Sequence, residues 1–170
     1  DHERFAQAIE LERRGPPRRL SDRADASYAA LRKYADDVDG AAAMLDTLLD
    51  EARASGDVSS ICYVLAHQVQ IAVWQGDLAG GDRLASEHLE LAEVAGLSSQ
   101  AAQARSNLAS TRAHLGRLDD ADTLLTALDA AAGTGPWGRQ RVAGLRGFVE
   151  LSRRDPGAAI PHLDRWWALL

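Results

Sequence analysis

Short turn motifs recur along the chain at a nearly constant spacing. The segment Gly76–Leu78 (Gly-Asp-Leu) is matched by Gly116–Leu118 (Gly-Arg-Leu), and Gly56 is matched by Gly96 at the same distance, about 40 residues. Arg154–Pro156 (Arg-Asp-Pro) follows at a slightly shorter spacing. Glycine adopts the left-handed backbone conformation that ends a helix without steric cost. The recurrence predicts a unit of two helices separated by tight turns and repeated along the chain.

Apolar residues between these turns recur at the three- and four-residue spacings of a helix face. No long stretch alternates apolar and polar residues as a strand does, and β-branched and aromatic residues are few. Asp39, Asp57 and Ser98 are expected to cap the helices that follow them, and Pro136 suits a first helical turn. We predict helices near residues 3–14, 21–36, 39–55, 58–75, 78–95, 98–115, 118–132, 136–153 and 157–170.

A single helix pair cannot bury its own apolar face, so neighbouring pairs are expected to stack. The predicted fold is therefore all-α: a right-handed α-solenoid of stacked antiparallel helix pairs with a period of about 40 residues. Small residues are expected where paired helices cross, at Ala41, Gly81, Ala121 and Ala159.

We expect one tetratricopeptide-like repeat domain over residues 1–170. Its predicted parts are the end of a preceding repeat with a loop (1–20) and helix-pair repeats at 21–56, 57–96, 97–135 and 136–170. Because the chain starts at Asp1 rather than at Met, we also expect it to be a piece of a longer protein.

The composition is that of an ordinary globular domain, with 46% hydrophobic and 26% charged residues. The formal net charge of −6 disfavours direct binding to nucleic acid. No apolar run approaches the ~20 residues of a membrane-spanning helix, and no secretion signal opens the sequence. The single Cys62 excludes an internal disulfide and fits a reducing compartment, so we expect a cytoplasmic protein without a membrane partner. The arginine-rich segment 13–19 is expected to be a solvated loop; contact with nucleic acid or an acidic partner is the alternative.

The sequence lacks the motifs of familiar catalytic and cofactor sites. A phosphate-binding loop needs Lys and Ser or Thr after a glycine-rich turn, but the only Lys, Lys33, lies in a predicted helix. No spacing of Cys and His suits zinc, and Ser98 lacks the second glycine of a nucleophile elbow. Cys62 and His88 fall on apolar faces, where a buried structural role is favoured over reactivity or ligand binding. We therefore expect no catalytic residue, no cofactor and no metal site.

Each unit resembles a tetratricopeptide-type repeat, in which a Gly-Asp-hydrophobic turn precedes a small residue and then an apolar stripe. The period of about 40 residues exceeds the ~34 residues of the standard repeat. The segments 11–57, 59–96 and 147–170 are similar to the helical-repeat region of the large ATP-binding LuxR-family regulators of actinobacteria. In that family the repeat arm lies between a nucleotide-binding module and a helix-turn-helix. The resemblance implies an arm that senses an inducer or partner and controls self-association.

The first helix of each pair lines the concave face of a helical solenoid, which is its usual binding surface. The tetratricopeptide register places these aromatic and polar residues there: Tyr63, Gln70, Trp74, Gln103, Ser106, Asn107, Ser110, His114, Arg141 and Phe148. They are candidates for a recognition groove, in which apolar contacts supply affinity and polar groups supply orientation. Packing between repeats beside an ordinary wet surface is the other interpretation, and the sequence leaves both open.

Trp166 and Trp167 are the candidates for self-association. Adjacent helical residues point about 100° apart, so one ring should be buried and the other should form an exposed apolar patch that favours a homodimer. With the resemblance, these features lead us to expect a non-catalytic sensor arm of a LuxR-type regulator, whose partner is a protein, a peptide or a small-molecule inducer. The alternative is a constitutive tetratricopeptide-type scaffold, or a spacer attached to another domain.

Overall fold

The computed structural model describes residues 2–130 and 135–170, and all regular structure in these residues is helical. Short 3-10 turns at Leu20–Asp22 and Lys33–Ala35 flank the second helix. The predicted end of a helix near residue 132 lies outside the described residues. The α-helices are α1 His2–Arg13, α2 Ala24–Arg32, α3 Val38–Ser55, α4 Val58–Trp74, α5 Leu78–Val94, α6 Ser98–His114, α7 Leu118–Ala130, α8 Pro136–Ser152 and α9 Pro156–Trp167.

Consecutive helices pack against each other along the whole described chain. From the second repeat onward, direct contacts between alternate helices are formed mainly by α4 with α6 and by α6 with α8. The first helices of the repeats therefore lie closer together than the second helices, which places them along the inner side of the stack. The predicted all-α, solenoid-like repeat of helix pairs is confirmed. Its right-handedness stays a prediction.

Four corners between helices, at residues 36–37, 56–57, 76–77 and 154–155, combine one residue with positive φ and one capping aspartate. Gly76 has a φ of 81°, and the carboxylate of Asp77 accepts a hydrogen bond from the backbone N–H of Gly80 at 2.9 Å. Asp57 caps α4 in the same way through Ser60, as predicted. The predicted helix ends at glycine are confirmed, since Gly56, Gly76, Gly96 and Gly116 all have φ between 67° and 81°.

Two predicted caps are wrong. Asp39 lies inside α3, whose cap is Asp37, and Ser98 is the first residue of α6, whose cap position is Leu97. The cap must directly follow the left-handed residue, because that residue turns the chain into the extended conformation from which the next helix starts. Leu97 follows Gly96 as Asp77 follows Gly76, so α6 starts without a side-chain cap.

The predicted helix over 21–36 is interrupted at both ends. Arg23 is extended, with φ −83° and ψ 151°, and α2 begins only after it. The N–H of Ala24 donates instead to the Glu12 carboxylate of α1 at 2.7 Å, which satisfies one of the unpaired donors of a helix start. At the other end Asp36 has a φ of 64° and takes the place of the corner glycine. The cluster at 13–19 lies in the exposed connection before this segment.

Small residues lie at the predicted crossing positions of the helix pairs. Ala41, Ala121 and Ala159 are fully buried, and Gly81 is buried as well. A Cβ added to Gly81 would lie 3.4 Å from the Thr111 side chain, so a larger residue there would push α5 away from α6. Leucines one and two turns further along α3 and α7, such as Leu45 and Leu125, fill the space between the pairs. Cys62 is buried and forms part of this packing, as predicted.

His88 is fully buried in α5, which confirms the predicted core position, but only one of its two ring nitrogens has a hydrogen-bond partner, whereas a core histidine with both satisfied was expected. It occupies the position that Leu48 occupies one repeat earlier and that Leu128 occupies one repeat later. Its Nε2 contacts the Gln100 side-chain oxygen at 3.2 Å, while Nδ1 is buried without a hydrogen-bond partner. Burial lowers the pKa of His88 below its ordinary value, because the charged ring would lose its hydration.

Replacing the His88 ring with leucine should stabilise the fold. The substitution His88→Leu removes a buried unpaired nitrogen, and we expect a gain of about 1 kcal/mol in the free energy of unfolding at pH 7. The gain should grow as pH falls below about 6.5, since unfolded His88 binds a proton there and the buried ring does not. Urea denaturation at pH 5.5, 6.5 and 7.5 measures both effects. A loss of stability at pH 7 that does not depend on pH would contradict this account.

The corner residues can be tested by a pair of opposite substitutions. Gly76→Ala places a Cβ at a φ of 81° and should destabilise the chain by about 1 kcal/mol, although no atom lies close enough to clash. Arg154→Gly changes the equivalent corner of the last repeat, where arginine has a φ of 64°, and should be neutral or stabilising. Thermal unfolding of both variants gives the comparison. Equal effects of the same sign would exclude backbone strain as the cause.

Candidate functional site

A cavity of about 210 Å³ opens where the first helices of three repeats meet. Its residues come from one face of α4, one face of α6 and one position of α8, because the three- and four-residue spacings of a helix bring side chains to the same side. Tyr34 of the second 3-10 turn closes one end. We call the first helix of each pair its A helix, and this space the A-face cavity. It is lined by Tyr34, Val69, Gln70, Val73, Trp74, Asn107, Ser110, Thr111 and Arg141. The predicted residues Gln70, Trp74, Asn107, Ser110 and Arg141 are among them.

Arg141 reaches from α8 to α6 and brings a positive charge to the cavity wall. Its Nε donates to the Ser106 hydroxyl oxygen at 2.7 Å, and its Nη2 donates to the Asn107 side-chain oxygen at 3.1 Å. Asn107 in turn donates from its amide to the backbone carbonyl of Ala66 on α4, at 3.4 Å. Burial lowers the pKa of Arg141, but a guanidinium starts so high that it stays charged at neutral pH. These bonds connect three repeats and hold the guanidinium in one place.

Lys33 is a second buried cation beside the cavity. Only 2% of its surface is exposed, and its Nζ lies 2.8 Å from His67 Nδ1 and donates to the Gln70 side-chain oxygen. An ammonium has no acceptor, so His67 Nδ1 accepts this hydrogen bond and the ring proton lies on Nε2. Nζ also lies over the rings of Tyr34 and Trp74, 4.9 and 5.7 Å from their centroids, at cation–π distance.

Burial and the repulsion between neighbouring cations shift the pKa values of Lys33 and His67. Burial and the charge of Arg141 lower the pKa of Lys33 to about 8. Burial and the charge of Lys33 lower the pKa of His67 to about 4. At pH 7 the lysine is therefore mostly charged and the histidine is neutral. The cavity thus has two cations, Lys33 and Arg141, whose hydrogen bonds to Gln70, His67, Ser106 and Asn107 go to uncharged groups.

Aromatic rings recur around the A-face cavity: Tyr34 and Trp74 line it, whereas the predicted residues His114 and Phe148 lie outside its lining. Tyr34, Trp74 and His114 follow one another at intervals of one repeat and so occupy the same position in successive helix pairs. The Tyr34 and Trp74 rings meet edge to face, with centroids 5.6 Å apart. The His114 ring lies 4.7 Å from that of Phe148, and its Nδ1 lies 2.8 Å from the Ser110 carbonyl oxygen, to which it donates. Since Trp74 is 51% exposed, part of its ring is accessible to a ligand.

The remaining predicted residues lie outside the cavity. Tyr63 packs its ring 4.7 Å from that of His67 and donates to the Ala26 carbonyl at 3.4 Å, and burial raises the pKa of its hydroxyl. Ser106 is 1% exposed and supports Arg141 from behind. Gln103 is partly buried on α6 and does not line the cavity. For Tyr63 and Ser106, packing between repeats is therefore the better interpretation.

Trp166 and Trp167 differ in their surroundings. Trp166 is partly buried on the side of α9 that faces α8, and a Cβ added to Gly144 would lie 3.0 Å from its ring. Trp167 is 71% exposed, and its ring centroid lies 6.5 Å from that of Trp166. Ile160 and Leu170 are also exposed at this end of the stack. The difference between the two rings is what adjacent helical positions predict; self-association through them stays a prediction.

Comparisons with protein-family models, with curated protein sequences and with solved structures gave no match for this chain. Among the described helices, none combines the length and the apolar character that crossing a membrane requires. Within residues 2–130 and 135–170, no three His, Cys, Asp or Glu side chains lie together in a way that suits a metal ion. The functional interpretation therefore depends on the A-face cavity itself.

The buried charge of Lys33 should be visible in the pH dependence of stability. Its pKa is about 8 in the folded chain and about 10.5 when exposed, so the unfolded chain alone keeps the proton between these values. The free energy of unfolding of the wild type, relative to Lys33→Met, should rise by about 3 kcal/mol from pH 8 to pH 10.5. Urea denaturation of the two proteins across this range isolates the contribution of Lys33, because the tyrosines and Cys62, which also titrate at these pH values, are common to both. Parallel pH curves for the two proteins would show that Lys33 is solvated in the folded chain.

Proposed function

We propose that this chain is the non-catalytic sensor and protein-interaction arm of a cytoplasmic LuxR-type transcriptional regulator. In this proposal the A-face cavity binds an inducer or a partner, and its occupancy controls the assembly of the regulator. The observation that carries the proposal is that the cavity collects polar and aromatic side chains from three helix-pair repeats and from the Tyr34 turn. Such a combination of apolar walls and a few oriented polar groups is typical of recognition sites.

Binding at this place has a direct mechanical consequence. Each repeat contacts mainly its neighbours, so a small rotation between repeats accumulates along a stack. A ligand that contacts Trp74 on α4, Ser110 on α6 and Arg141 on α8 connects three repeats and favours one set of angles between them. A ligand shifts an equilibrium only by the difference between its affinities for the two states. Sensing therefore requires that the cavity change shape between the free and the assembled regulator.

A constitutive scaffold is the second candidate, and the ion pairs between helices favour it. Arg53 donates to Glu87 of the next repeat at 2.7 Å, and Arg112 on α6 lies 3.3 Å from Asp82 on α5. Arg153 at the end of α8 contacts Asp119 of α7 at 2.8 Å. Each partly exposed pair contributes only ~0–1 kcal/mol, but together they oppose rotation between repeats. A stack held in this way would present the cavity in one fixed shape.

The sensor proposal predicts that Trp74 in the cavity wall and His114, one turn beyond Ser110 on α6, control assembly. In the natural full-length protein, Trp74→Ala combined with His114→Ala should change the dissociation constant of self-association by about tenfold or more, a typical allosteric coupling. Analytical ultracentrifugation measures this change, with and without an extract of the cells in which the natural protein acts. Val94→Ala is the matched control, because Val94 is 85% exposed and lies on the second helix of its repeat.

The two candidates differ in outcome. Assembly that is identical in the wild type, the double variant and the Val94→Ala control, with or without extract, would exclude the sensor. If, in addition, the wild type retains a protein partner on an affinity column and the double variant loses it, the scaffold is the function.

A further inference from the structure

The charge around the A-face cavity is opposite to that of the chain. The chain has a net charge of −6, yet none of the described residues that line the cavity is acidic. Arg141 lies in its wall and Lys33 lies directly behind Gln70. The cavity is therefore a local positive region on a negative protein.

The two cations are held in place in a manner that suits an incoming anion. Lys33 is oriented by His67 and Gln70, and Arg141 is oriented by Ser106 and Asn107. Two like charges in a partly buried site repel each other, and an anion between them would stabilise both. A carboxylate accepts two parallel hydrogen bonds from a guanidinium, which adds orientation to charge.

The size and the walls of the cavity restrict the rest of the ligand. At about 210 Å³ it is smaller than the ~300–1,000 Å³ of sites for drug-sized ligands. Val69 and Val73 supply an apolar wall, and the half-exposed ring of Trp74 offers a flat surface for stacking. Ser110 and Asn107 supply the polar groups at the opposite side, on α6.

We propose that the A-face cavity binds a small monocarboxylate with a flat ring, whose carboxylate contacts Arg141 and whose ring lies against Trp74. This inference rests on the proposed function for the location of the site, and it adds the chemical class of the inducer. The anion also lies in the field of Lys33, which strengthens binding without direct contact. A ligand in this position contacts α4 and α8 together. It therefore connects two repeats, and the sensor proposal requires that the angle between repeats respond to the ligand.

The test compares acids with their neutral amides on the 170-residue chain. The probes are benzoate, 1-naphthoate and indole-3-acetate, each beside its amide, with acetate as a charge without a ring. Calorimetry and two-dimensional amide NMR measure the dissociation constants. We expect at least one ring acid to bind with a dissociation constant below about 1 mM, and its amide and acetate to bind at least about tenfold more weakly.

Variants then assign the contacts. Arg141→Gln should remove the preference for the acid over its amide, and Trp74→Ala should weaken the acid and the amide alike by about tenfold. Arg165→Gln on α9 is the matched control, since it removes the same charge from an exposed position away from the cavity, and it should leave binding unchanged. If Arg141→Gln does not fold, the acid–amide comparison on the wild type and the Trp74→Ala variant still decide the question.

Several results would overturn the inference. These are equal binding of acid and amide, no binding of any ring acid up to about 10 mM, or an acid preference that survives Arg141→Gln. Binding of a peptide with a free C-terminal carboxylate, in the absence of binding by the ring acids, would also overturn it and would identify a peptide as the partner. If the acids fail while the Trp74 and His114 variants still alter assembly of the natural protein, the proposed function stands without this ligand class.

Discussion

The corner between two helices is the constraint on which the rest of this structure depends. A residue with positive φ ends one helix, and the next residue leads into the following helix, as Gly76 and Asp77 do. This geometry recurs along the chain, so that α4, α5, α6 and α8 each have 17 residues and equivalent side chains return to equivalent places. Small residues such as Ala41 and Ala121 then let the helices of each pair approach closely. One residue inserted within a helix would rotate the side chains that follow it in that helix by about 100° relative to those before it.

The A-face cavity is a consequence of this regularity and of one departure from it. Trp74, Asn107 and Arg141 meet because α4, α6 and α8 are aligned by the repeat. Lys33 reaches the same place because the first repeat ends α2 early and continues in a 3-10 turn, which no later repeat does in the described part of the chain. Buried charge of this kind opposes folding, and His88 adds a buried unpaired nitrogen where other repeats have leucine. Two positions at which the chain loses stability are thus Lys33, beside the cavity, and His88, in α5.

Prediction from the sequence succeeded where the signal is local. Helix ends at glycine, the small crossing residues, buried Cys62 and buried His88 all follow from spacing and residue type, and each is confirmed. The predicted caps at Asp39 and Ser98 are wrong because residue preference alone does not locate a cap. The cap position is set by the left-handed residue that directly precedes it. The register that places Asn107 on the binding face also places Gln103 there, yet of these two residues only Asn107 lines the cavity. The register specifies a face that covers about one third of the helix circumference. The packing of neighbouring helices decides which part of this face stays exposed to solvent.

The sequence by itself determined the class of fold and the boundaries of most helices, because turn chemistry and apolar spacing act over a few residues. Only the tertiary structure decided that Lys33, His67 and Gln70 form one cluster, since Lys33 and His67 are 34 residues apart and meet where the 3-10 turn after α2 reaches α4. The single lysine was visible in the sequence, but its burial was not. Burial sets the pKa of a charge and the electrostatic character of the cavity, and burial is a property of all surrounding elements together.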